Sequence, residues 1–130
     1  MQDEELTRQV IGCAMRVHTV LGPGYLESVY EHALAHELRK AGLHVECQRP
    51  IRVWYDGVVV GDFLADLFVE DRLIVENKAV QALAAIHETQ LVSYLNSTGT
   101  EIGLLLNFGA PSLQYKRKYR RYRPKGSGQD

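Results

Sequence analysis

Apolar residues recur every three or four positions over residues 3–20. Leu6, Val10, Cys13, Ala14, Val17 and Leu21 line one side of a helix there. Gly22-Pro23-Gly24 stops that helix and turns the chain. A second helix is predicted over residues 25–40. Its apolar face is Leu26, Val29, Tyr30, Ala33, Leu34 and Leu38, and Gly42 ends it. The period then changes. Residues 45–55 alternate loosely, and Pro50 marks that run as an edge strand or a bulge. Asp56-Gly57 is a hairpin signal leading into a strand over 58–69, kinked at Gly61. Glu70-Asp71 turns tightly into a third strand, 73–80. Residues 82–97 are helical and closed by Gly99, and 102–108 form a short buried strand. The order is α-α-β-β-β-α-β. A three-strand meander followed by a helical crossover implies an α/β fold with a mixed sheet flanked by helices.

The 130 residues suffice for one compact domain with a core and are too few for two. No apolar run approaches the roughly 18–20 residues of a membrane span, so no membrane association is expected. The acidic, polar start, MQDEELTRQV, does not read as a signal peptide. Cys13 and Cys47 show no metal-binding spacing and read as buried thiols of a reducing cytoplasm. Charge alters the picture more. From Lys116 onward seven cations face the single carboxylate of Asp130, a net +6, which leaves −7 on the rest of a chain whose total is −1. The expected organisation is a folded body, 1–114, and a basic flexible tail, 115–130. Carboxylates gather metal and a basic arm gathers phosphate.

Within the strand RLIVENKAV, Glu76 and Lys78 are two apart and share a face. The upstream strand FLADLFV carries Asp66, and pairing about the Glu70-Asp71 turn brings Asp66 into register with Glu76. Charges in a half-buried sheet cost several kcal/mol unless paired or metal-bound. A cross-strand ion pair with Lys78 is the plain alternative, yet one lysine does not neutralise two carboxylates. A divalent cation does, since hard cations take carboxylate oxygens and keep positions open for water or phosphate. Lys78 would then orient the attacking water, help deprotonate it, or stabilise negative charge forming on phosphorus. Asn77 faces away, its side chain free to vary, while its backbone carbonyl can reach the metal.

Asp66 followed ten residues later by Glu76-Asn77-Lys78 resembles the D…(D/E)-x-K signature of the PD-(D/E)XK nuclease superfamily, with Ala65-Asp66 where that signature often has Pro-Asp. The stretch GYLESVY resembles the GxxExxY motif of a small bacterial family within it, through Gly24, Glu27 and Tyr30. HETQLVSYL and LLNFG are similar to that family too. The resemblance implies a restriction-endonuclease-like core, α-β-β-β-α-β, with an extra N-terminal helix. It implies Mg²⁺ or Mn²⁺ held by Asp66, Glu76 and Glu27. The margin of the second helix's apolar stripe, where Glu27 falls, is within reach of the sheet; a solvated first-turn carboxylate is the alternative. His87, Gln90 and Tyr94 share one face of the helix over 82–97. The resemblance places a Q-x-x-x-Y element there, so Gln90 is expected to position Lys78, water or phosphate. Tyr94 and His87 read equally as substrate contacts or satisfied core residues, and Tyr30 joins the candidate substrate contacts. His18, His32, His36 and His44 form no ligand set.

The tail interleaves Tyr115, Tyr119 and Tyr122 with Lys116, Arg117, Lys118, Arg120 and Arg121, which suits phosphate contact and base stacking. The terminal GSGQD reads as flexible. The expected function is metal-dependent phosphodiester hydrolysis in nucleic acid, DNA favoured over RNA, with a homodimer as an option for cutting both strands. A catalytically inactive nucleic-acid-binding module on the same fold is the alternative. A partner-binding protein with only an ion-pair network is a third reading.

Overall fold

The computed structural model describes residues 1–121. Helix α1, Asp3–Leu21, buries Leu6, Val10, Ala14 and Val17, the predicted stripe. Gly22 ends it at φ 68°, and its N–H donates to the His18 carbonyl. Helix α2, Glu27–Lys40, starts two residues later than the pattern suggests. Before it, the Tyr25 N–H donates to the Tyr30 hydroxyl at 3.1 Å, and that hydroxyl donates to the Gly22 carbonyl at 2.5 Å. The helix is also rotated from its expected face. Tyr30, Glu31, Leu34, Ala35 and Leu38 are buried, while Leu26 and Val29 are exposed.

Strands β1, Val45–Tyr55, and β2, Val58–Val69, form a long hairpin closed by Asp56 and Gly57, both at positive φ. The register slips between Val53 and Trp54, opposite the Gly61 region. Strand β3, Leu73–Lys78, pairs antiparallel with β2, and helix α3, Ala85–Thr98, carries the chain to β4, Ile102–Asn107, parallel to β3. β3 stops at Lys78 because the Asn107 side chain takes over the next polar groups. The Val80 N–H donates to its Oδ1 at 3.0 Å, and its Nδ2 donates to the Val80 carbonyl at 2.9 Å. Gly99 closes α3 in the left-handed region.

A fifth strand, β5, Gln114–Tyr119, pairs antiparallel with β4, and the sheet order is β1-β2-β3-β4-β5. The expected basic tail therefore begins too early: residues 115–119 are sheet. An outer strand packs little, so its apolar signal is weak, and cations guard a sheet edge against further pairing. Arg117 Nε donates to Thr7 Oγ1 on α1 at 3.0 Å, and Lys118 Nζ meets Glu88 Oε1 on α3 at 3.0 Å. The remainder of the tail, with GSGQD, lies outside the described residues.

The sheet is the middle of three layers. Leu6, Val10, Tyr30, Leu34, Leu67, Val75, Leu104 and Phe108 fill the core beneath α1 and α2. Ile51, Ile74, Leu91, Leu95 and Leu105 fill the other, beneath α3. Among the described residues no helix is long and apolar enough to cross a membrane. Ending the chain at Leu113 is expected to unpair the β4 edge. The shortened protein should then melt at least about 10 °C below the full chain, or be insoluble; equal melting curves would return β5 to the status of a tail.

Candidate active site

The site forms where β2 and β3 part. Ladder pairing runs from Val69↔Leu73 to Leu67↔Val75 and stops there. The next pair in register would be Asp66 and Glu76. Their side chains take the place of the ladder bonds. The Asp66 N–H donates to Glu76 Oε2 at 2.9 Å, and the Asn77 N–H donates to Asp66 Oδ2 at 2.8 Å. Two carboxylates are thus built into an opened seam of the sheet, each fixed by a backbone donor from the opposite strand.

Burial makes this arrangement costly without a counter-charge. Glu76 is 8% exposed. Desolvation, and then the charge of Asp66, pushes its pKa up to about 8. Asp66 is raised as well, first by desolvation and further by Glu27, against the lowering effect of the Asn77 N–H and of Lys78. Lys78, half-buried at the end of β3, favours the ionised form of both.

Helix α2 brings two more carboxylates. Glu27 is exposed, and its charge acts on Asp66, Glu76 and Glu31. Glu31, one turn on, is 7% exposed. Its pKa is raised by burial and then by Asp66. Gln48 Nε2 donates to Glu31 Oε1 at 2.6 Å, and its side chain favours the ionised form of Asp66. Gln48 occupies the left-handed region at φ 56°, unusual for a non-glycine residue and costing about 1–3 kcal/mol. Neither Glu31 nor Gln48 is among the site residues expected from sequence. Glu31 had a legible signal, as the residue one turn beyond Glu27; the cross-strand reach of Gln48 had none.

The remaining candidates divide. Burial raises the Tyr94 hydroxyl pKa, and the charges of Glu76 and Asp66 raise it further, so Tyr94 faces the seam. Its ring packs on Phe63 with centroids 5.4 Å apart. Gln90 is exposed on α3, and among the described residues its side chain has no hydrogen-bond partner. His87 Nδ1 accepts the Ala84 N–H at 3.0 Å and so caps its own helix. Tyr30 is not a substrate contact. It is fully buried, stacked on Phe108 at 4.7 Å, and its hydroxyl is used in the α1–α2 turn. Asn77 is not free to vary either. Its side chain is 1% exposed, and among the described residues both amide atoms are buried without a partner. The cations of β5 lie beyond β4, on the sheet edge. Lys116 is exposed there, Arg120 pairs with Glu101 at 2.6 Å, and the Arg121 N–H donates to Asn96.

The seam offers carboxylate oxygens of Asp66 and Glu76, with Glu27 and Glu31 nearby on α2, more negative charge than Lys78 offsets. Both features fit a hard divalent cation. A second cluster corrects the reading of the histidines: His44, Glu46 and Asp71 bring ligand atoms within 4.8 Å of one another. It lies at the opposite end of the β2–β3 pairing, and Arg49 already holds Glu46 at 2.9 Å. The seam carboxylates form no such group of three among the described residues, and buried carboxylates exceed cations there.

A sheet flanked by helices on both faces, with a carboxylate pair and a lysine at a parting of its strands, defines a restriction-endonuclease-like domain. The description of the PD-(D/E)XK nuclease superfamily matches residues 4–121, and the chain belongs to that superfamily. Membership supports a nuclease-type, metal-binding hydrolase. No curated protein shows significant sequence similarity to the chain. The solved structure of SSO0001 superposes with a TM-score of 0.56 over 75% of this chain at 16% identity, a likeness of fold alone. This chain spans 52% of SSO0001, about half its length.

A carboxyl whose folded pKa is raised binds its proton more tightly in the folded state. The stability it contributes is full below the ordinary value of 4.5 and is lost as pH rises through about 8. In chelator, the melting temperature should therefore fall across that window. Glu76→Gln should flatten the fall, and Mn²⁺ should offset it in the parent protein only. A parent melting curve independent of pH would remove the unmet charge at Glu76.

Proposed function

We propose that the protein hydrolyses phosphodiester bonds in nucleic acid, DNA before RNA, with Mg²⁺ or Mn²⁺ bound at the seam, and that it is a cytoplasmic member of the GxxExxY family. One observation carries this reading: two carboxylates stand in the place of ladder bonds, pushed toward the protonated form by burial and mutual repulsion, beside one lysine. The family assignment rests on Gly24, Glu27 and Tyr30 in the stretch that turns into α2.

Asp66 and Glu76 would hold the cation, with Glu27 and Glu31 completing its surroundings and the Asn77 carbonyl as a further oxygen. The bound cation supplies an activated water and charge stabilisation on phosphorus. The backbone donors of Asp66 and Asn77 fix the carboxylates, so their orientation costs nothing at the moment of reaction. Lys78 orients the attacking water or stabilises charge developing on the phosphoryl oxygens. Tyr94 lines the opening and contacts the sugar or phosphate next to the scissile bond. Gln90 is exposed at the same helix and reaches the substrate once it is seated. Lys116 and Arg121 hold the backbone farther along.

The test is cleavage of plasmid, linear duplex, single-stranded DNA, branched DNA and RNA, in Mg²⁺, Mn²⁺ and chelator. Lys78→Ala should lower the rate at least about 100-fold while Mn²⁺ still raises its melting temperature. Glu76→Gln should lose both effects. Metal-independent cutting, or full activity of Lys78→Ala, would overturn the assignment of roles. Tyr30→Phe should cost about 1 kcal/mol of stability and leave cleavage unchanged at a temperature where it is folded; a selective loss of rate would restore Tyr30 to the site.

A further inference from the structure

Among the described residues, non-glycine positions with a left-handed backbone are Gln48, Asp56, Glu70 and Asp71. Asp56, Glu70 and Asp71 lie in the two turns, where such a backbone reverses the chain. Gln48, at φ 56°, lies inside β1. Its neighbours pair regularly with β2, Cys47 with Leu67 and Arg49 with Ala65. The pair between them, Gln48 with Asp66, is missing from the ladder. Gln48 is also exposed on an outer strand, so core packing does not impose this backbone on it. A strained residue persists only where its surroundings hold it there.

What holds Gln48 is helix α2. Its amide donates to Glu31 at 2.6 Å. Glu31 is 7% exposed, and Asp66 and Glu27 press like charge upon it. A carboxylate so placed needs a donor. The cation of this helix–strand contact is directed elsewhere: Arg39 donates to the Val45 carbonyl at 3.0 Å. The donor to Glu31 is instead a neutral amide. An amide fixes a carboxylate by a hydrogen bond and leaves its charge in place. A lysine or arginine at position 48 would cancel charge that a hard divalent cation requires. Groups that hydrogen-bond carboxylates around a metal set their orientation and with it the affinity for the metal.

We propose that Gln48 is a positioning residue for the cation at the seam: its left-handed backbone aims a neutral amide that holds Glu31 in place without neutralising it. This role rests on the proposed binding of a divalent cation there, and it separates two ways of orienting the carboxylates. Asp66 and Glu76 are held by backbone N–H groups, which side-chain substitution leaves in place. Glu31 is held, among the described residues, by one side chain from an outer strand. Its share in the cation's surroundings therefore depends on residue 48. The strain at Gln48 is the stability given up for that orientation.

Two substitutions separate the amide from the strain. Gln48→Ala loses the amide and keeps the strained backbone, whereas Gln48→Gly loses the amide and relieves the strain. In chelator, the glycine variant should melt at least about 3 °C above the alanine variant. Mn²⁺ is then titrated calorimetrically below both melting temperatures, at the site that Glu76→Gln abolishes. Both variants should bind it at least about 10-fold more weakly than the parent. Glu31→Gln should cost at least about 10-fold in the parent and no more than about 3-fold in the Gln48→Gly background, because the amide acts through Glu31. A glycine variant that binds Mn²⁺ as the parent does would reduce Gln48 to a kink in an edge strand and overturn the role. Equal melting temperatures of the two variants would overturn it too, as would equal losses from Glu31→Gln in both backgrounds. A parent that takes up no Mn²⁺ would overturn the metal reading of the seam and this role together. Mn²⁺ binding without cleavage of any substrate would fail the proposed nuclease and leave the role of Gln48 standing.

Discussion

The opened seam between β2 and β3 is the constraint on which the site depends. Antiparallel strands normally continue pairing until a turn or an end stops them. Here the register predicts one more pair, Asp66 with Glu76, and the backbones do not make it. Each carboxylate accepts the N–H that its neighbour strand would otherwise give to a carbonyl. The backbone donors are satisfied, and the carboxylates are held in place. They are also brought so close, in so little water, that they resist ionising together. A site that needs a cation follows from how two strands separate.

The layers around the seam keep it open. On one side α2 lays Glu31 against Gln48, whose side chain also favours the ionised form of Asp66. On the other α3 presents Tyr94, whose ring rests on Phe63. The parallel pairing of β3 with β4 requires the crossover by α3, so the same connection that completes the sheet puts Tyr94 opposite the carboxylates. Asn107 then ends β3 soon after Lys78 by occupying Val80, which leaves Lys78 at a strand terminus. Asn77, between the two key residues, has a buried amide without a partner among the described residues.

Much of the fold was legible. The stripe of α1, the Asp56-Gly57 hairpin, the Glu70-Asp71 turn and the buried run of β4 each carry a strong local signal, and each lies where the pattern puts it. The register of β2 with β3 follows from turn position alone, which is why Asp66 and Glu76 were found together. The failures are also physical. Leu26 and Val29 match a helical stripe as well as Glu31 does not, yet the turn anchored by Tyr30 rotates α2 so that Glu31 goes in and Leu26 stays out. β5 was hidden because its cations suit an outer strand and a solvated tail equally well.

What the sequence by itself determined is the order of elements, the pairing that joins Asp66 to Glu76, and the presence of Lys78 two residues on. These depend on periodicity and turn chemistry, which act over a few residues. What only the tertiary structure decided is the chemistry of those groups. Whether Glu76 is ionised depends on burial by helices distant in sequence, and whether Glu31 and Gln48 join the site depends on the rotation of α2 and a strained backbone in β1. Local pattern specifies which residues are near one another along a strand or helix. Burial and electrostatic demand belong to surfaces brought together from the whole chain, and no short stretch contains them.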